Sequence, residues 1–130
     1  MLFAGLEMSS ADAYLNEGVT LLSCRLLHVG TWTSISVFNH NANGNRSRLL
    51  IAYNDSSTPM IEKSVSSRLR ATTDKPSKYE VLITLWMYSL GCDDEGNFSC
   101  TADVPFAVPE AFGRLNIKGM LVIYLRGSAS

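Results

Sequence analysis

Apolar and polar residues alternate along most of this chain. In Val19–Leu26 the alternation puts Leu22, Cys24 and Leu26 on one side of an extended backbone, because successive side chains of a strand point to opposite faces. Ile35 and Val37 repeat the pattern within Ser34–Asn39, and Val81, Ile83, Leu85 and Met87 repeat it within Tyr79–Tyr88. Further strands are predicted at Arg48–Tyr53, Arg68–Thr72, Phe98–Ala102 and Met120–Leu125. Turn-forming residues separate them. Asn43-Gly44 is a hairpin signal, since both residues tolerate positive φ. Asn54–Pro59 reads as a loop and Asp74–Ser77 as a turn. Only Pro109–Gly113 hints at helix, as a single turn. Many short strands divided by turns predict an all-β domain, either a sandwich or a barrel.

Composition narrows this reading. The 130 residues make one domain by length. A hydrophobic content of 46% and a charged content of 18% support a packed core. The net charge of −1 argues against nucleic acid or an anionic membrane as a partner held by bulk charge. No apolar run reaches the roughly 18 residues that a membrane-spanning helix needs. Met1–Ser10 makes a poor signal peptide, having no basic start and an interrupting Glu7. Either the chain is cytosolic or a leader lies outside it.

Candidate chemistry is sparse. The sequence has no phosphate loop, no zinc-protease helix motif and no Cys-x-x-Cys. His28 and His40 have no ligand-type residue at metal-binding spacing, and no serine sits in a nucleophile elbow. Asp93, Asp94 and Glu95 are adjacent, which suits corner geometry and a salt bridge better than paired acid–base work. An enzyme on a β-sandwich is therefore a remote reading, and no cofactor is implied.

Two stretches give the pattern a family. Leu85, Met87 and Leu90 precede Asp94-Glu95-Gly96-Asn97-Phe98-Ser99-Cys100, and Glu17-Gly18-Val19 leads to Leu22-Ser23-Cys24. Together these resemble the E–F corner and the B-strand approach of an immunoglobulin-superfamily V-type domain. The resemblance covers about residues 14–125. Residues 1–13 are read as an N-terminal extension or first edge strand, 14–126 as the domain and 127–130 as a tail. It implies a two-sheet antiparallel, Greek-key β-sandwich. It also implies a disulfide between Cys24 and Cys100, 76 residues apart. The residues alone leave open two separate buried thiols. Gly96 would allow the tight corner, Phe98 would pack there, and Arg68 would pair with Asp94, with Arg70 as rival. The chain departs from the family at Val37, where a core Trp is expected, and at Phe98, where a Tyr is expected. Trp32 in the B–C-like loop is the available replacement for the missing Trp. The Phe-Gly-x-Gly bulge of antigen-receptor G strands is absent.

The function implied by the resemblance is an extracellular recognition or adhesion module. Its partner would be a protein or glycan, a second copy of itself included. The expected setting is one module of a larger ectodomain, with no membrane insertion by this segment. The alternative is a structural immunoglobulin-like domain of an intracellular filament-type protein. Partner-binding candidates are Phe38 and Tyr53 on one sheet and Trp86 on the other, although Trp86 could equally be covered by the N-terminal segment. The B–C-like loop, Leu27–Thr33, and a long F–G-like connection, Asp103–Gly119, are expected to set specificity. Asn45, Asn54 and Asn97 each begin an N-glycosylation sequon. Cys92 is the spare thiol. It could serve an intermolecular disulfide or have no role, and nothing nearby is basic enough to activate it.

Overall fold

The computed structural model describes residues 3–15, 18–28, 30–41 and 43–119. Among these described residues, ten strands form two packed sheets: β1 Phe3–Met8, β2 Ala11–Ala13, β3 Val19–His28, β4 Ser34–His40, β5 Arg46–Tyr53, β6 Met60–Ile61, β7 Leu69–Ser77, β8 Glu80–Tyr88, β9 Gly96–Asp103 and β10 Glu110–Ile117. Short 3-10 turns occur at Lys63–Val65 and Cys92–Asp94. The first sheet has the order β1-β3-β8-β7, and the second β2-β10-β9-β4-β5-β6. All pairings are antiparallel except β2 with β10, which run parallel. The architecture is thus a β-sandwich, compatible with an immunoglobulin-like domain.

The period-2 pattern explains the core. Leu22, Cys24 and Leu26 of β3 face Val81, Ile83 and Leu85 of β8 across the ladder, and all are buried. From the other sheet come Ile35 and Val37 of β4, Leu50 and Ala52 of β5, and Phe98, Cys100 and Ala102 of β9. Each large apolar side chain removed from water contributes about 1.5–3 kcal/mol before entropy is charged. Trp32, from the segment before β4, is buried as part of this core.

The N-terminal strand divides itself between the sheets. β1 pairs with β3, and β2 pairs with β10. At the crossing, Ser9 N still donates to Ser23 O at 2.9 Å, and serine hydroxyls add to the backbone bonds. Ser9 Oγ accepts from Ser23 N at 2.8 Å, and Ser10 Oγ accepts from Arg114 N at 2.9 Å. The N–H groups of Ser23 and Arg114 are therefore satisfied where the chain changes sheets.

Several expectations need correction. Pro109–Gly113 is no helical turn, since β10 begins at Glu110. The connection after β9 accordingly spans only Val104–Pro109, not Asp103–Gly119. The alternation of Ala111, Gly113 and Leu115 inward with Glu110, Phe112 and Arg114 outward was the strand signal, masked by Pro109 and Gly113 at its start. The expected final strand Met120–Leu125 lies outside the described residues. The turn expected at Asp74–Ser77 is part of β7, and the chain reverses instead at Lys78–Tyr79. β7 is an edge strand with a register shift between Asp74 and Ser77, and there Pro76 breaks no interior ladder.

Candidate binding face

Cys24 and Cys100 are disulfide-bonded, with Cα atoms 6.3 Å apart. β3 and β9 are central strands of opposite sheets, so the bond joins the two layers at mid-core. A buried disulfide of this kind is compatible with an oxidising, extracellular setting.

Below it lies the corner between β8 and β9. Arg68 grips Asp94 with both guanidinium ends. Nη1 donates to Oδ2 at 2.8 Å, and Nη2 makes the shorter bond to Oδ1. Gly91 N donates to Asp94 Oδ2 at 2.7 Å. Burial pushes the Asp94 carboxyl up. The Arg68 hydrogen bonds, the Gly91 N–H and the Arg68 charge outweigh that and hold the carboxyl below its usual range. The same bond raises Arg68, with burial opposing and the Asp94 charge assisting. Arg70 lies elsewhere, opposite Trp86 on β8. Gly96 has φ +148°, and a Cβ there would come 3.1 Å from the His40 carbonyl. Phe98 is buried at this corner beside Leu69 and Met87.

The outer face of the six-stranded sheet carries the remaining chemistry. Phe38, His40, Ser99 and Phe112 are neighbours across β4, β9 and β10. His40 Nε2 and Ser99 Oγ share a hydrogen bond at 2.8 Å, and Phe112 lies with its ring 5.7 Å from the imidazole. The Arg46 guanidinium covers the Phe38 ring at 4.2 Å and bonds Glu110 at 2.9 Å, so it ties β5 to β10 over the two strands between. Arg48 bonds Glu62 at 3.2 Å on the flank. The middle of the face is therefore internally satisfied, and its charges are paired.

Apolar groups surround that middle. Phe112 is 60% exposed, Met60 62% and Tyr53 38%. At the sheet's end the β9–β10 turn holds Phe106 fully in solvent with Val108 nearby. Phe106 has φ +67°, a left-handed conformation rarely adopted by a bulky residue. Trp32, Thr33, Tyr53, Asn54 and Asp55 line a depression of about 360 Å³ at the same end. Trp32 is itself buried. Asn54 Nδ2 donates to its carbonyl at 2.9 Å, and the Lys75 ammonium stands 5.7 Å from its ring.

The sequence-based candidates thus separate. Tyr53 is on the exposed rim, while Phe38 is half-buried under Arg46 rather than free. Trp86 faces outward from the other sheet, part-covered between Leu21 and Arg70 on its neighbouring strands. β1 lies beyond β3, at the sheet edge, so it does not cover Trp86. Asn45 is at the β4–β5 hairpin, Asn54 in the loop after β5 and Asn97 within β9. Cys92 is an exposed free thiol at the corner turn. Phe112, Met60 and Phe106 were not anticipated. The outward register of β10 would have found Phe112, whereas no local pattern marks Met60 or Phe106. The histidines are at strand ends, and His28 Nδ1 donates to the Gly30 carbonyl at 2.6 Å. Compared with known proteins, the chain matches no protein-family model and no curated protein sequence.

Proposed function

We propose that this chain is an immunoglobulin-like recognition module of V type, working outside the cell and binding a protein partner through the outer face of its six-stranded sheet. Two features of the topology support the V-type reading. The sheet containing β9 and β10 extends past β4 by the β5–β6 pair, and the first strand is shared between sheets. The observation that carries the binding reading is the arrangement of the face itself. A hydrogen-bonded, charge-paired middle is ringed by Tyr53, Met60 and Phe112 in solvent. Aromatic and methionine side chains are the groups enriched in protein interfaces. Hydrogen bonds already satisfied within the face leave little polar desolvation to oppose docking.

A tetramerised form of the domain, applied to cells that each display one ectodomain from a broad panel, tests the reading. Binding to some member should fall at least about tenfold in Tyr53→Ala and in Phe112→Ala, the loss of a central contact. Trp86→Ala, on the opposite sheet, should bind as the parent does. Equal binding by all three variants would remove the six-stranded face from the proposal. Sedimentation of the domain alone reports whether a second copy is the partner.

A further inference from the structure

We infer that two copies of this chain pair edge to edge through β7, as one antiparallel sheet with Thr72 on the two-fold axis. β7 closes the four-stranded sheet, and among the described residues no strand lies on its other side. The inference rests on the fold and goes beyond the recognition reading above.

The backbone of β7 is divided by direction. Arg68 O accepts from Tyr88 N at 2.9 Å. Hydrogen-bonded and non-hydrogen-bonded positions alternate along an antiparallel ladder. Arg70, Thr72 and Asp74 therefore turn their N–H and C=O groups toward β8, opposite Trp86, Thr84 and Leu82. Ala71 and Thr73 turn theirs to the open edge, which is a template for another strand. Lys75, Pro76 and the register shift blunt the strand beyond Asp74, so the usable edge is the short run before them.

The side chains select a second copy as the occupant. Arg70, Thr72 and Asp74 are exposed on the outer face of the sheet. Arg70 reaches only Ser66 O, at 3.5 Å. Neither Arg70 nor Asp74 takes part in an ion pair among the described residues. Four residues of strand hold them roughly 13 Å apart, so they cannot meet within one chain. In a pair centred on Thr72, Arg70 stands opposite Asp74 of the second copy, and Asp74 opposite its Arg70. These are non-hydrogen-bonded positions, where facing side chains come closest. Thr72 meets Thr72 at the axis, a favourable cross-strand pair. Ala71 and Thr73 exchange backbone bonds with Thr73 and Ala71 of the second copy. One register thus pairs the charges and the open backbone groups together.

Neighbouring registers do not. Centring on Arg70 or on Asp74 sets like charges face to face. Centring on Thr73 leaves Arg70 opposite Pro76 and Asp74 opposite Thr72. Centring on Ala71 puts Arg70 opposite Thr72, and Asp74 opposite an Arg68 already bound to Asp94. The contact is short, so association depends on concentration and weakens with salt. β7 belongs to the four-stranded sheet, so the outer face of each six-stranded sheet stays open.

The test is sedimentation of the full 130-residue chain, disulfide intact, over concentrations up to about 1 mM. The parent should show a monomer–dimer equilibrium. Arg70→Asp and Asp74→Arg should each raise the dissociation constant at least about tenfold, because each sets like charges opposite one another twice. Mixing these two variants should restore the dimer, since one chain then offers two acids to the other's two bases. The double variant should dimerise as the parent does. Thr72→Lys, which brings two ammonium groups together at the axis, should dissociate it and decides the matter if a charge variant fails to fold. A parent that stays monomeric, a dimer indifferent to the single variants, or folded variants that do not recover on mixing overturns the inference. So does a dimer lost in Phe112→Ala but kept in Arg70→Asp, which would move the contact to the six-stranded face.

Discussion

Gly113 has the least freedom of any residue in β10. A Cβ there would lie 1.9 Å from the Ser9 carbonyl oxygen, because the N-terminal strand passes over it while changing sheets. Backbone cannot yield as a flexible side chain can. Gly113→Ala should therefore lower stability by about 1–3 kcal/mol, the usual cost of overpacking, read as a lower urea midpoint. A midpoint equal to the parent's would mean that the crossing at Ser9 is looser than described. The Arg68–Asp94 bridge gives a second residue-scale prediction. Asp94 titrates below its unfolded value, so the stability it contributes is complete above the ordinary carboxylate pKa of about 4 and is lost as pH falls through the lower folded value. Arg68→Leu leaves the carboxylate buried. The cost should be about 1–2 kcal/mol, discounted because Arg68 is itself 37% exposed. The acid-side loss should flatten in this variant, and an unchanged pH profile would assign it to other carboxylates. The Arg68–Asp94 pair was legible in the sequence through the motif around Gly96. The need for glycine at 113 was not, because Ser9 is remote in sequence and the contact exists only after both sheets form.

At the scale of elements, the β9–β10 hairpin departs most from expectation. Its tight turn is closed by reciprocal Val104–Ala107 backbone bonds of 3.2 and 3.3 Å, and this closure puts Phe106 in the left-handed region. The ring meets solvent on all sides, so no packing offsets the backbone cost. A left-handed conformation costs a bulky L-residue about 1–2 kcal/mol, and glycine avoids it at some expense in unfolded-state entropy. Phe106→Gly should thus raise stability by about 0.5 kcal/mol, seen as a higher thermal midpoint. A lower midpoint would show that the ring packs on the domain. β7 and β10 were both misjudged around proline, for related reasons. Pro76 is tolerated because β7 is an edge strand, and Pro109 is simply the last residue before β10 begins. Which strands are edges follows from sheet order, and sheet order is not a local property of a sequence.

For the whole molecule, the disulfide is the main link between layers beyond side-chain packing. It closes a loop of 76 residues, which in the chain-entropy model stabilises the fold by about 4 kcal/mol. Cys24→Ala/Cys100→Ala should lose about that much in denaturant titration. In the native parent, Cys92 should react with a thiol reagent while Cys24 and Cys100 react only after unfolding and reduction, as a mass measurement of alkylated peptides would show. Native alkylation of all three cysteines would mean that the bond is open. The exposed thiol and the bonded pair differ in burial as well as in bonding, since Cys92 is free and in solvent while both partners of the disulfide are fully covered.

By itself the sequence determined the all-β class, the inward faces of β3, β4 and β8, the hairpin at Asn43-Gly44 and the corner around Gly96. These depend on period-2 alternation and on turn chemistry, both of which act between near neighbours. Only the tertiary structure decided that the first strand serves both sheets, that Glu110–Ile117 is a strand beside β9, and that Trp32 is buried in the core. It alone brought Arg46 across Phe38 to Glu110 and left Tyr53, Met60 and Phe112 around a satisfied middle. Those outcomes depend on which strands become neighbours, and that is settled by how two apolar faces bury each other.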